Sequence, residues 1–341
     1  MRKSKPFSIL SYLLLHYVLL SPAFSQEYTI KFGTLAPEGS SWMIVMREYD
    51  AAVRKESGGR LGFKIYPGGV QGGDEKSMLR KIKIGQLQSG GFTGVGLGEI
   101  APNVRVLDSP FLVKNHTEMD FLYEHFAKEF EDAFVQGGFV FLGWAEVGNV
   151  NVFSRSPIRK PEDLKAVEMW TWEGDPVADA AFRVLGLNAI PLSIDNVLTS
   201  LQTGLIDAFY APPYAATVLQ WYTRVKYMVD YPLAVSAGAV LISKKYFDSM
   251  PRDLQEILLR NGRQYMAKLT QMNREDNRNA IEEMKKRGIT VTQADQKDIT
   301  FYAGVGTQAR KMLVGRLYSE DLLNRVEQAL ADFRKNNKAV K

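Results

Sequence analysis

Five aromatic residues carry the strongest chemical signal in this sequence: Trp170, Trp172, Phe209, Tyr210 and Tyr214 fall at or just after the predicted ends of two strands. In open α/β sheets a small molecule sits there, outside the carboxyl ends of the strands. Aromatic rings offer it a large apolar contact and, in tyrosine, a hydroxyl handle. The competing assignment for each ring is ordinary core. Trp170 and Trp172 share one strand face, whereas Phe209 and Tyr210 point opposite ways, so at least one of the five is expected in the interior. Glu173 follows directly and supplies a polar group for orienting a ligand. Groups that do chemistry are sparse. Of the three histidines, His16, His116 and His125, none has a carboxylate arranged for a triad or partners at metal-ligand spacing. There is no G-x-S-x-G and no P-loop. The run Thr93 to Gly98 lacks the glycine spacing of a dinucleotide loop and follows the third strand of its unit, so it reads as a flexible loop near the site. The chain is therefore read as a binding protein, with no enzymatic activity and no cofactor.

The elements that must position these residues follow from periodicity. Alternation predicts a strand at Tyr28–Thr34, then a loop Leu35–Ser41, then a helix from Trp42 to Glu56 stopped by Ser57-Gly58-Gly59. A strand Leu61–Tyr66, a helix from Asp74 to Ile84 and a short strand Gln86–Phe92 complete a first unit. The same order recurs: strand Ala166–Trp172, helix Pro176–Leu185, strand Asn188–Ile190, helix Asp195–Thr203 and strand Leu205–Tyr210. Leu79, Ile82, Gly85 and Leu87 fall 119 residues before Leu198, Leu201, Gly204 and Ile206. Two β-α-β-α-β lobes are implied, each with a mainly parallel sheet and a cleft between them. The loop Leu35–Ser41 and the segment Trp170–Asp175 are then opposing lips, which adds Glu38, and Phe92 at the end of its strand, to the candidate ligand contacts. The apolar stretch Leu233–Ile242 is expected to cross back to the first lobe. From Pro251 an amphipathic helix runs toward Lys286, long enough to touch both lobes, until Gly288 ends it. The expected division is 27–147 plus 237–271 for lobe one and 148–236 plus 272–341 for lobe two, with a hinge at the two crossings.

Composition narrows the setting. Arg2, Lys3 and Lys5 precede an apolar run Phe7–Leu20 and the small-x-small triplet Ala23-Phe24-Ser25, the layout of a secretory signal cleaved near Ser25. The expected location is the periplasm. Fourteen apolar residues are too few to span a bilayer, which needs roughly 20. Losing residues 1–25 removes three cations and no acid, so the formal charge falls from +5 to +2, too balanced a surface for nucleic acid. With no cysteine there is no disulfide framework and no thiolate metal site.

One segment carries a family resemblance. PEDLKAVEMWTWEGDP at Pro161–Pro176 and LQTGLIDAFYAPP at Leu201–Pro213 resemble the substrate-binding proteins of TRAP transporters, the DctP type. Ser154–Leu164, Leu107–Leu112 and Ser243–Leu258 match the same family in order and spacing, so the resemblance spans nearly the whole mature chain. It implies a two-lobed periplasmic receptor with a long connecting helix that hands a small molecule to DctQ/DctM-type membrane permease subunits. In that family the strand after P-E-D-L-K-G carries an Arg that clamps a carboxylate; the aligned residue is Trp170. The usual Asn of N-P is Ala211, and a second Arg falls at Val150. The resemblance thus implies a receptor without its anion clamp, an aromatic-walled pocket, weak binding of simple mono- and dicarboxylates and a largely hydrophobic or aromatic ligand, with Arg155 and Arg183 as candidate replacement cations. The alternative is that the fold serves as an interaction or sensory module whose main partner is another periplasmic protein.

Overall fold

The structure, a computed structural model, describes residues 27–338; the predicted secretory signal lies outside the described residues. β1 (Tyr28–Gly33), α1 (Ser41–Glu56), β2 (Leu61–Tyr66), α2 (Glu75–Lys83) and β3 (Ser89–Thr93) follow the predicted order closely. Asp74 caps α2 by accepting from the Ser77 N–H. Between β2 and α2, Gly68, Gly69, Gly72 and Gly73 all take positive φ, so the chain turns where only glycine does so without strain. The Thr93–Gly98 run is not a flexible loop. It begins α3 (Gly94–Ile100), with Thr93 as N-cap and its Oγ1 accepting from Val95 N at 3.3 Å.

Next come α4 (His116–His125), α5 (Ala127–Gln136), β4 (Phe139–Trp144), β5 (Gly148–Ser154), β6 (Trp170–Trp172), α6 (Pro176–Leu185), β7 (Ile190–Leu192), α7 (Val197–Thr203), β8 (Ala208–Ala211) and α8 (Pro213–Val218). The remainder is β9 (Tyr227–Val229), β10 (Ala234–Ser236), β11 (Gly238–Ser243), α9 (Lys244–Asp248), α10 (Arg252–Lys286), β12 (Thr290–Thr292), α11 (Gln296–Leu313) and α12 (Glu320–Lys338). No helix among the described residues is long and apolar enough to cross a membrane.

The strands form two bodies, the two lobes of an α/β periplasmic binding protein fold. The first sheet has the order β2-β1-β3-β11-β4, and the second runs β10-β5-β9-β12, with β8 also paired to β5 and the short pair β6-β7 beside it. Both are mixed. β1 is parallel to β2 and β3, and β6 to β7, as βα units require. β11 is antiparallel to β3 and β4, and β5 is antiparallel to β8, β9 and β10. These antiparallel pairs arise where the chain changes sheets: β4 leads straight into β5, and β10 into β11, so each returning strand enters its sheet in the opposite sense.

Helix α10, 35 residues and about 52 Å long, packs on α1 and β4 of the first body and on α8 and β5 of the second. Its polar residues tie down the crossing strand. Thr270 Oγ1 donates to Trp144 O, Asn273 Nδ2 to Glu146 O and Asn277 Nδ2 to Val147 O. Helix α11 lies on α6. The sequence reading put all of 272–341 in lobe two, but α12 does not lie there: it packs on α4 and the Pro102–Val106 turn, burying Leu322, Leu323, Val326 and Leu330 in the first body's core. Phe333 of α12 stacks on Phe121 of α4 at 4.5 Å.

Candidate functional site between the lobes

The two bodies enclose a cavity of about 160 Å³. Thr93, Val95, Arg105 and Asp108 line it from the first body; Val150, Trp170, Trp172, Asp175, Tyr210 and Ala211 line it from the second. A neighbouring cavity of about 120 Å³ shares Thr93, Val147, Ile194, Ala215 and Leu219 with it and reaches toward Phe32, Trp42 and Phe92.

Strand ends build the aromatic wall. β6 pairs with β7 from Trp170↔Ile190 to Trp172↔Leu192, and the Trp170 Nε1–H donates to Leu192 O at 3.0 Å. That bond satisfies the indole where it is almost wholly buried, at 2% exposure. The Trp170 ring stacks on Tyr210 at 5.0 Å and meets Trp221 edge-on at 5.3 Å. Tyr210 is held by its hydroxyl, which accepts from Trp172 N at 3.2 Å, and burial raises its pKa.

The polar centre is a buried trio. Arg105 Nη2 lies 2.8 Å from Asp175 Oδ1 and its Nε 3.0 Å from Asp108 Oδ2. Asp175 is held in place as the N-cap of α6, its Oδ1 also accepting from Val177 N at 3.0 Å, and Asp108 Oδ1 accepts from Ala237 N at 2.7 Å. Burial works against the Arg105 charge, but Asp175 and Asp108 more than offset it and raise the guanidinium pKa. Burial pushes Asp108 up to about 6 against the pull of Arg105. Behind Thr93 sits Glu75, whose carboxylate accepts from Thr93 N, Thr93 Oγ1 and Gly96 N; burial still raises it to about 7. The glycine run makes this approach possible. A Cβ at Gly94 would stand 1.6 Å from Asp108 Oδ2, and one at Gly96 would stand 2.6 Å from Glu75 Oε2.

The predicted site residues divide. Trp170, Trp172, Tyr210, Ala211 and Val150 line the first cavity, and Phe92 lines the second. Phe209 is wholly buried on the other face of β8, stacked on Phe153 at 4.9 Å, the core member expected among the five aromatics. Glu173 and Glu38 are exposed, and Glu38 is spent on a surface ion pair with Arg47. Tyr214 acts at the lip: its hydroxyl accepts from Ser41 N at 2.9 Å and its ring lies 5.0 Å from Trp42, joining the two bodies. Neither proposed replacement cation reaches the cavity. Arg155 donates to the carbonyls of Arg224 and Leu201, and Arg183 is exposed.

Arg105, Asp108, Asp175 and Glu75 were not singled out from the sequence. The available signal was Arg105 and Asp108, three apart in the apolar stretch Val104–Leu112, where a charged pair must be buried or functional. Asp175 before Pro176 reads only as a helix cap.

Comparison with known proteins gives the family. Residues 32–311 match the model of DctP, bacterial extracellular solute-binding protein, family 7. The chain is 27% identical over 311 residues to the 2,3-diketo-L-gulonate-binding periplasmic protein of Escherichia coli K12, covering 88% of this chain and 92% of that one. Among solved structures it is similar to a TRAP periplasmic solute-binding protein from Citrobacter koseri with bound D-glucuronate (TM-score 0.81, 23% identity, 89% of this chain and 99% of that one). Another from Desulfovibrio salexigens, with bound orotic acid, gives TM-score 0.82 at 22% identity, covering 89% of this chain and 99% of that one. Arg105 stands in the cavity wall here, so the cleft is not without a cation. The chain belongs to the DctP family of extracytoplasmic solute-binding proteins, the receptors of TRAP-type transport.

Proposed function

We propose that this receptor captures a small organic acid with an apolar body and delivers it to a DctQ/DctM-type pair of membrane permease subunits. The observation that carries the reading is a single guanidinium, Arg105, set in a cavity wall otherwise built mainly from aromatic and aliphatic side chains. A carboxylate takes a charge-assisted pair of bonds from such a fork, and the body gains about 25 cal/mol per Å² of apolar surface removed from water. An apolar cavity near 150 Å³ accommodates a molecule the size of benzene, which bounds the ligand to about a dozen heavy atoms once the neighbouring space is added.

Asp175, from the opposite lobe, is paired with the Arg105 guanidinium at 2.8 Å. Opening the lobes about the crossings near Val147 and Ala237 carries Asp175 away with β6 and frees Arg105 for an incoming acid. The moving units are 27–147 with 237–271 and α12 on one side, and 148–236 with most of 272–319 on the other. Export to the periplasm with cleavage near Ser25 completes the reading. A cavity lined by both lobes favours a captured solute over the alternative of a protein-binding module.

The test is thermal unfolding of the refolded, ligand-stripped mature chain with a panel of monocarboxylic acids, together with mass spectrometry of any molecule carried through purification. Stabilisation that grows with acid concentration is expected. An unresponsive melting curve across the panel, or a co-purified ligand with no acid group, overturns the proposal.

A further inference from the structure

We infer that the acid accepted by this cleft is a zwitterion, a small amino acid with an apolar side chain, whose carboxylate faces Arg105 and whose ammonium faces Asp175 and Asp108. The inference rests on the carboxylate-receptor reading above and deepens it. Its basis is the charge count of the wall. Arg105 is already engaged by two carboxylates, at 2.8 and 3.0 Å, and all three side chains are less than a tenth exposed. Glu75, which lines the neighbouring cavity, adds a third acid and is hydrogen-bonded to the shared lining residue Thr93.

A plain carboxylate entering this site would put three anions around one buried guanidinium, and an uncompensated buried charge is costly. An ammonium two bonds from the ligand carboxylate removes that conflict. It supplies three donors, and an ammonium has no acceptor capacity to satisfy, so it suits the surplus oxygens of Asp175 and Asp108. The net charge of the filled site then equals that of the empty one. Asp175 thus selects ligands: it excludes acids that bring no cation and retains those that do.

The experiment is calorimetry on the ligand-stripped mature chain with three matched sets: L-leucine and L-phenylalanine, their deaminated analogues 4-methylpentanoate and 3-phenylpropanoate, and their decarboxylated analogues 3-methylbutylamine and 2-phenylethylamine. The zwitterion is expected to bind roughly 10- to 150-fold more tightly than either analogue, the worth of one charge-assisted hydrogen bond. D175N, which keeps the helix cap because Asn caps as well as Asp, is expected to erase most of the preference over the deaminated acid. Deaminated acids that bind as well as the amino acids overturn the zwitterion and leave the carboxylate reading standing. Amines that bind as well as the amino acids overturn the carboxylate reading itself. If neither amino acid binds, the inference is wrong whatever the acids do. Should D175N fail to fold, the three wild-type sets decide alone.

Discussion

Asp175 Oδ1 and Arg105 Nη2 meet at 2.8 Å across the cleft, joining side chains 70 positions apart on opposite lobes. The pair is buried, and Asp108 completes it from the Arg105 side. Residues of both lobes therefore build one ion-pair cluster in the wall of a largely apolar cavity.

Arg105→Met should remove the cation while leaving Asp108 and Asp175 buried beside each other. Loss of one partner of a buried pair costs about 3–5 kcal/mol, and acid binding should disappear with it. Urea unfolding with calorimetry checks both effects. Stability within about 1 kcal/mol of wild type would show that the trio is solvated in solution.

Trp170→Ala should both weaken the apo protein and alter the cavity, because one ring serves as core and wall. A fully buried tryptophan replaced by alanine costs about 3–5 kcal/mol. Trp170→Phe keeps most of the volume, loses the bond to Leu192 O, and should cost nearer 1 kcal/mol. Comparing the two by urea unfolding and by ligand-induced fluorescence change separates packing from contact. Unchanged binding in Trp170→Ala would remove this residue from the site.

Tyr214→Phe deletes the acceptor for Ser41 N at the lip while keeping the ring against Trp42. A neutral hydrogen bond contributes about 0.5–1.5 kcal/mol, so ligand dissociation should accelerate by roughly 2- to 12-fold with little change in association. Stopped-flow fluorescence reads the two rates separately.

Glu75 makes stability depend on pH in a defined direction. Its folded pKa, about 7, lies above its unfolded value, so the native state holds the proton more tightly. The folded protein is favoured by this group at acid pH, and stability falls as pH rises from about 4.5 to 7, by on the order of 2–3 kcal/mol. Asp108, raised to about 6, adds a slope of the same sign over a lower window. Glu75→Gln should flatten the wild-type trend between pH 4.5 and 7 in urea titrations. A variant with an identical slope would show Glu75 to be solvated.

Sequence alone determined the order of elements within the two β-α-β-α-β units and the long helix after Pro251, because helix and strand periods, glycine stops and caps act over a few residues. Leu61–Tyr66 and Pro176–Leu185 agree with the structure end for end. It also brought out the aromatic wall, since strand ends in this architecture face the cleft. Three features belonged to tertiary structure. The antiparallel pairing around β5 depends on which distant strands arrive beside it, and the seat of α12 on the first lobe depends on which core has a free apolar face. The charge of the site was the third. Trp170 and Val150 stand where the resemblance expects arginines, yet a guanidinium enters from Arg105 on the opposite lobe. Local pattern cannot report that substitution in space: Arg105, Asp108 and Asp175 become one buried electrostatic unit only where residues distant in sequence, from both lobes, are brought face to face.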